Sequence, residues 1–125
     1  MNLICWEAAM DQSQDVRDYF ARQPEALPLF LAAAERILVR FPQARLRVQK
    51  SQIALAEKRN FCFLWLPPHK IKGRPELYLV LSFGLDRQIE NPRIVESVQP
   101  HAGRWMHHLL VTGATDIDEQ LLGWL

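Results

Sequence analysis

The stretch SQIALAEKRNFCFLWL, residues 51–66, contains two apolar runs separated by a short charged segment. Residues 51–57 and 61–66 each have the length and composition of a strand, and residues 58–60 have the composition of a tight connection. Asn60 suits a positive φ angle at such a turn. The stretch therefore predicts a β-hairpin, which Pro67 and Pro68 end.

The second strand of this hairpin is apolar on both faces. Side chains alternate between the two faces along a strand. One face would therefore carry the aromatic residues Phe61, Phe63 and Trp65, and the other would carry Cys62, Leu64 and Leu66. The aromatic set has the character of a core face, and Cys62 is interpreted as a small buried hydrophobic residue. The second apolar face then needs a cover, which the long segment 84–104, a ligand or another subunit could provide.

Helical patterns lie on both sides of the hairpin. Residues 15–21 predict a short helix with Ser13 as its N-cap. Apolar residues spaced by three and four from Leu27 to Phe41 predict a long helix that Pro42 ends. Thr115 is predicted to cap a final helix that has acids in its first turn.

Residues 45–48, 77–83 and 105–112 predict three further strands, whereas residues 84–104 predict an irregular segment with a helical turn at 93–97. The expected fold is α+β: a two-layer sandwich of N-terminal helices, an antiparallel sheet of about five strands and a C-terminal helix. A length of 125 residues predicts a single domain over 1–125, with residues 1–12 as a flexible or loosely packed arm.

Composition indicates an ordinary globular protein, because 49% of the residues are hydrophobic and 23% are charged. The two cysteines are too few for a disulfide framework, and the N-terminus lacks the pattern of a signal peptide. No apolar run approaches the roughly 20 residues that span a bilayer. We therefore expect a cytoplasmic protein without a membrane partner.

The charges are segregated along the chain, although the formal net charge is only +1. Residues 36–74 hold ten basic residues and the single acid Glu57, and acids outnumber basic residues on both sides. Such a central block could neutralise phosphates. Solvated charge, or charge paired within the fold, is the competing interpretation.

Familiar catalytic spacings are absent from the sequence. His107 and His108 are adjacent in a predicted strand and point to opposite faces, so they cannot share a metal ion. No serine lies in a nucleophile-elbow motif, and the glycines are too scattered for a phosphate-binding loop. These observations favour a protein that is not an enzyme, and they predict no metal and no cofactor.

Several short motifs occur in a specific order: Lys50-Ser-x-Ile-Ala54, Lys58-Arg-Asn-Phe61, Pro92-Arg-Ile94, Gly103-Arg-Trp-x-His-His108 and Asp118-Glu-x-Leu-Leu-Gly-Trp124. In this order they resemble the bacterial family known as domain of unknown function 5655. More distantly, the strand–loop–strand–helix ending is similar to the YjbR-like group, whose fold resembles bacterial frataxin. The resemblance supports the α+β fold and assigns no activity.

The leading hypothesis is a non-enzymatic binding module whose basic central surface engages an anionic partner such as nucleic acid. Eight residues are candidates for that surface: Lys50, Lys58, Arg59, Lys72, Arg104, Trp105, His107 and His108. Within this set, Lys50, Arg104 and one histidine could converge on an anion, or Trp105 could wedge the sheet against a helix. The alternative is a small-molecule or protein-interaction domain, acting as a homodimer through the second apolar face of strand 61–66.

Overall fold

The computed structural model describes residues 13–125, so the predicted N-terminal arm, residues 1–12, lies outside the described residues. Helix α1 spans Ser13–Tyr19, and a 3-10 turn at Pro24–Ala26 leads into helix α2 at Leu27–Arg40. Four residues of the predicted apolar stripe of α2 are fully or nearly fully buried, Phe30, Ala34, Ile37 and Leu38, and its other members, Leu27, Leu31 and Phe41, are partly buried against the core. Leu29 and Ala33, outside that stripe, are buried too. The helix ends at Arg40, because proline at position 42 disfavours the helical conformation at Phe41.

Six strands follow: β1 (Arg45–Val48), β2 (Ile53–Ala56), β3 (Asn60–Trp65), β4 (Leu79–Leu85), β5 (Ile94–His101) and β6 (Arg104–Val111). They form one sheet in the order β1-β2-β3-β4-β6-β5, and every neighbouring pair is antiparallel. A 3-10 turn at Ala114–Asp116 precedes helix α3 at Glu119–Trp124. The predicted α+β architecture is confirmed, with six strands rather than about five.

The additional strand is β5, in the segment predicted to be irregular with a helical turn at 93–97. Proline at positions 92 and 100 suggested breaks in the chain. Within residues 13–125, β5 is an edge strand that pairs only with β6, and an edge strand tolerates proline because one side of its backbone is not paired in the sheet.

The described helices pack on one face of the sheet. Their buried residues form a single core with Leu46, Leu55, Leu64 and Leu81 of the strands. In α3, Trp124 stacks on Phe83 of β4, with ring centroids 5.5 Å apart and planes inclined by 14°. The sheet therefore has a helix-covered face and an opposite face on which no helix of residues 13–125 packs.

The predicted division of strand 61–66 into two faces is wrong at Phe61 because of a β-bulge. The pairing of β2 with β3 shifts register between Leu55 and Ala56. Phe61 consequently packs on the helix side, where its ring centroid lies 4.9 Å from that of Phe41. Cys62 and Leu64 also belong to the core. The aromatic set is therefore divided, and Phe63 and Trp65 lie on the opposite face.

Two local predictions about turns and caps are wrong. Asn60 begins β3, and none of the described residues other than glycine has a positive φ angle. The last helix starts after Asp118, whose side chain accepts the Leu121 N–H, rather than after Thr115. Thr115 lies inside the 3-10 turn.

The connection between β4 and β5 does not cover the second face. It crosses β6 on the helix side, where Ile89 joins the core and its N–H donates to His107 Nε2 at 3.0 Å. Arg93, at its end, donates to Asp118 Oδ1 at 2.9 Å and holds the crossing against the start of α3. None of the helices between residues 13 and 125 has the length and apolar content needed to cross a bilayer.

Candidate functional site

The ten basic residues of the central block do not share one surface. Arg36 and Arg40 lie in the helix layer, where Arg36 donates to the Ile117 carbonyl and Arg40 pairs with Glu119 at 3.0 Å. Arg45 and Arg47 lie on β1 and are exposed, and Arg47 donates to Asn60 Oδ1. The remaining six are divided between the two ends of the sheet.

Antiparallel pairing decides this division. Lys58 and Arg59 occupy the β2–β3 turn, and Arg104 begins β6 at the same end. Lys50 occupies the β1–β2 turn, and the long β3–β4 loop returns to that opposite end with Lys70, Lys72 and Arg74. Lys50 and Arg104 therefore lie at opposite ends of the sheet, and their predicted convergence with a histidine is wrong.

Arg22 adds a further cation from the helix layer to the end that holds Lys50. Its Nη2 donates to the carbonyls of Leu66 and Pro67, at 3.2 and 3.0 Å, which joins the α1–α2 connection to the β3–β4 loop. Six residues from three chain segments thus form what we call the basic end: Arg22, Lys50, His69, Lys70, Lys72 and Arg74.

Two cavities open at the basic end, one on each side of Arg22. The larger, of about 650 Å³, is lined by Tyr19, Lys50 and Trp65 among others. The smaller, of about 280 Å³, lies between the α1–α2 connection and the β3–β4 loop, and Arg74 and Tyr78 line it. Acids are few here: Asp18 borders the larger cavity, and Glu76 of the smaller one pairs with Lys70 at 3.5 Å.

Tyr19 fixes the geometry of this end. Its hydroxyl accepts the Leu66 N–H at 3.0 Å and donates to the Ser51 carbonyl at 2.9 Å, so it connects α1 to two strand ends. Burial raises the pKa of the Tyr19 phenol, against smaller opposing effects of the Leu66 N–H and of Arg22. The phenol therefore remains neutral and keeps both hydrogen bonds.

The sheet face away from the helices carries a row of paired residues. Across β1, β2, β3, β4, β6 and β5, the register aligns Arg47, Ala54, Phe63, Ser82, His108 and Glu96. Phe63 and His108 are only partly buried, as is Trp65 on the same face, whereas Ala54 is fully buried between larger neighbours. The face thus combines aromatic surface with an arginine at one edge.

A hydrogen-bond chain orients two members of this face. Trp65 Nε1 donates to Ser82 Oγ at 2.8 Å, and Ser82 Oγ also contacts His108 Nδ1. Ser82 Oγ has one proton and two lone pairs, so it accepts from Trp65 and is donor or acceptor to His108 according to the His108 tautomer. Burial lowers the pKa of His108, with Glu96 opposing and His107 and Arg74 adding to the effect. Ser82 is itself buried and bonded on two sides, so the chain positions Trp65 and His108.

The two histidines lie on opposite faces, as the alternation predicted. His107 is fully buried on the helix side and stacks on Phe83, with centroids 5.1 Å apart. It holds the crossing connection through Ile89 and does not reach the basic end. Trp105 alternates with Arg104 and shares the helix side with His107, whereas the Arg104 guanidinium lies over Gly84 on the opposite face.

Several residues that form this region were absent from the predicted set, among them Arg22, Arg74, Tyr78 and Ser82. Arg22 belongs to the acidic N-terminal part of the sequence, so a count of charge along the chain passes over it. Ser82 lies on the same face as Val80 and is paired across the strands with Phe63 of β3 and His108 of β6. If the alternation of side chains along β4 had been compared with that along β6, Ser82 could have been placed beside His108.

Within residues 13–125, no group of three or more histidine, cysteine or acidic side chains is arranged to hold a metal ion. Comparison with protein-family models matches residues 16–125 to the domain of unknown function DUF5655. Comparison with curated proteins gave no significant match. Comparison with solved structures gave none either, so the similarity to the YjbR-like group stays a prediction.

Proposed function

The chain belongs to the DUF5655 family, whose description names no activity, and we propose that it is a module that binds single-stranded nucleic acid. The observation that carries the proposal is the basic end, where cations of three chain segments meet beside Trp65. Phosphates would lie along these cations, and bases would stack on the adjoining aromatic face.

The charges of the basic end suit a polyanion. Lys50, Lys70 and Lys72 are exposed, and within the described residues only Lys70 of these three forms an ion pair. Exposed cations that replace condensed counterions give affinity that falls steeply with salt. Arg45 and Arg47 continue the positive charge along the β1 edge of the aromatic face.

The aromatic face suits unpaired bases rather than a duplex. Trp65 lines the cavity that also contains Lys50, and its indole forms an edge contact with His108, with centroids 5.8 Å apart. Side chains held in this way on a sheet can stack on bases without reading their sequence. A duplex keeps its bases stacked inside and could use only the cations.

Fluorescence anisotropy with a labelled single strand of about 12 nucleotides and with a duplex of the same sequence tests the proposal. We expect the single strand to bind more tightly, and its affinity to fall by at least about tenfold between about 50 and 200 mM salt. Absence of binding at the lowest salt would contradict the proposal.

Two charge-reversal variants locate the surface. Lys50→Glu with Lys72→Glu alters the basic end, whereas Lys58→Glu with Arg59→Glu makes the same change in charge at the opposite end of the sheet. We expect the first pair to weaken binding by at least about tenfold and the second by less than about threefold. Equal losses would show that net charge, and not the basic end, controls binding.

A second candidate is a homodimer or small-molecule domain that uses the face with Phe63 and Trp65. The observation in its favour is apolar: Leu110 is also partly exposed there, and Val98 of the edge strand is 40% exposed. Light scattering over a range of concentrations tests it. A dimer that Trp65→Glu dissociates would support this candidate, and a monomer at all concentrations would exclude the dimer.

A further inference from the structure

The smaller cavity of the basic end has features that exposed lysines alone do not provide. Three segments enclose its volume of about 280 Å³: the α1–α2 connection, the first part of the β3–β4 loop, and the end of that loop before β4. Arg22, Lys70 and Arg74 line it together with His69, and among residues 13–125 Glu76 is its one acid. It is therefore a cation-lined recess with defined walls.

Two arginines of this cavity are held in place. Arg22 is anchored through Nη2 to two loop carbonyls, so its guanidinium is fixed at the wall. The Arg74 guanidinium lies over the Tyr78 ring, 5.9 Å from the ring centroid. Planar guanidinium groups that are already oriented suit the bidentate recognition of phosphate oxygens.

Tyr78 supplies a second, independent observation. The residue is 5% exposed, and its hydroxyl is buried without a hydrogen-bond partner among the described residues. A buried hydroxyl without a partner is costly, and an acceptor oxygen from a ligand would remove that cost. Because Tyr78 lines the cavity, a ligand held there lies beside the residue that carries this hydroxyl.

We propose that this cavity binds a terminal phosphate, as a phosphomonoester dianion, with Arg22 and Arg74 on its oxygens and the Tyr78 hydroxyl as a further donor. The inference rests on the proposed binding of single strands and specifies which part of the strand the cavity takes. An internal phosphodiester carries one negative charge and two ester substituents, whereas a terminal phosphate carries close to two charges and only one ester. The recess favours the terminal group on both counts.

Three oligonucleotides of one sequence test the inference, with a 5′-phosphate, a 3′-phosphate or hydroxyl groups at both ends. We expect one phosphorylated form to bind about tenfold more tightly than the hydroxyl form, which corresponds to one additional charge-assisted contact. The form that gains shows which end of the strand enters the cavity. Equal affinities for all three would overturn the inference and leave the proposed function standing.

Variants test whether the cavity causes the preference for an oligonucleotide with a terminal phosphate. Tyr78→Phe removes only a hydroxyl without a partner, so the fold should remain intact, and we expect the preference to fall by about threefold or more. Arg74→Gln should abolish the preference while the hydroxyl form still binds. Arg104→Gln, which alters an arginine at the other end of the sheet, is the matched control and should preserve it. An undiminished preference in both Tyr78→Phe and Arg74→Gln would overturn the site.

If no oligonucleotide binds, the cavity can be tested separately with a nucleoside 5′-monophosphate and the nucleoside alone. Shifts of the Arg74 and Tyr78 amide signals in nitrogen–proton correlation spectra, with the monophosphate only, would support the phosphate site although the proposed function had failed. Absence of shifts with both probes would overturn the site.

Discussion

At the scale of single residues, the Cys62 thiol shows how completely the core encloses β3. The side chain is fully buried on the helix face, and burial strongly raises the pKa of the thiol. The thiolate is the reactive form, so the native thiol should be inert. In a Cys5→Ser variant, we expect Cys62 to react with a disulfide reagent only as fast as the chain unfolds, and the rate should rise steeply with urea. Rapid reaction in buffer that does not depend on urea would show that β3 is accessible from the core side.

The sequence predicted the burial of Cys62 but assigned its face incorrectly. Alternation within 61–66 makes Phe61 equivalent to Phe63, and the bulge opposite Ala56 breaks that equivalence. A bulge depends on how two strands pair, and the residues of one strand do not encode it. The partly exposed pair Phe63 and Trp65 was therefore not distinguishable from a core face in the sequence pattern.

At the scale of elements, Asp118 connects the last helix to the rest of the fold. Its Oδ1 accepts from the Leu121 N–H at 3.0 Å as an N-cap and from Arg93 at 2.9 Å. The Leu121 N–H, followed by Arg93, lowers the pKa of the carboxyl against a raising effect of burial. The ionised form is therefore the one that caps.

Replacing this cap has a definite expected cost. We expect Asp118→Ala to lower the free energy of unfolding by about 1–2 kcal/mol, because it removes the cap and the contact with Arg93. Glu119→Ala is the neighbouring control. Its ion pair with Arg40 is exposed, so the loss should stay below about 0.5 kcal/mol. Urea denaturation of both variants measures the difference, and equal costs would show that Asp118 does not cap α3.

Strongly periodic elements were predictable, and elements that depend on their neighbours were not. The stripe of α2 and the bounds of β1 follow from local pattern, since each repeats the period of its own structure. β5 lacks a regular alternation of apolar and polar residues because its register with β6 shifts twice. Thr115 has the composition of a cap, but Asp116 accepts from the Thr112 and Gly113 N–H groups and closes a 3-10 turn there instead.

At the scale of the whole molecule, topology decides which charges meet. The central basic block is continuous in sequence, yet each hairpin sends its next turn to the opposite end of the sheet. Lys58 and Arg59 are thereby separated from Lys50, and Arg22 joins Lys50 from a distant part of the chain. A sum of charge along the sequence could indicate an anionic partner, but only strand order could locate the surface.

The same packing makes the stability of the fold depend on pH through two adjacent histidines. Burial is the main cause that lowers the pKa of both His107 and His108 in the folded chain. A folded-state pKa below the unfolded value of about 6.5 means that the unfolded chain binds more protons in the interval between them. The stabilisation is therefore complete about one pH unit above 6.5 and is lost progressively as the pH falls through that value.

Urea denaturation near pH 7.5, 6.5 and 5.5 should show a free energy of unfolding that falls slightly between the first two values and more steeply between the second and the third. His108→Gln can still form a hydrogen bond with Ser82 but does not titrate, so its decline below pH 6.5 should be shallower. Protonation of His108 makes Nδ1 a donor to Ser82 Oγ, which still has a lone pair to accept the Trp65 N–H. Stability that remains constant or rises between pH 6.5 and 5.5 would contradict the neutral state of these two histidines in the folded chain.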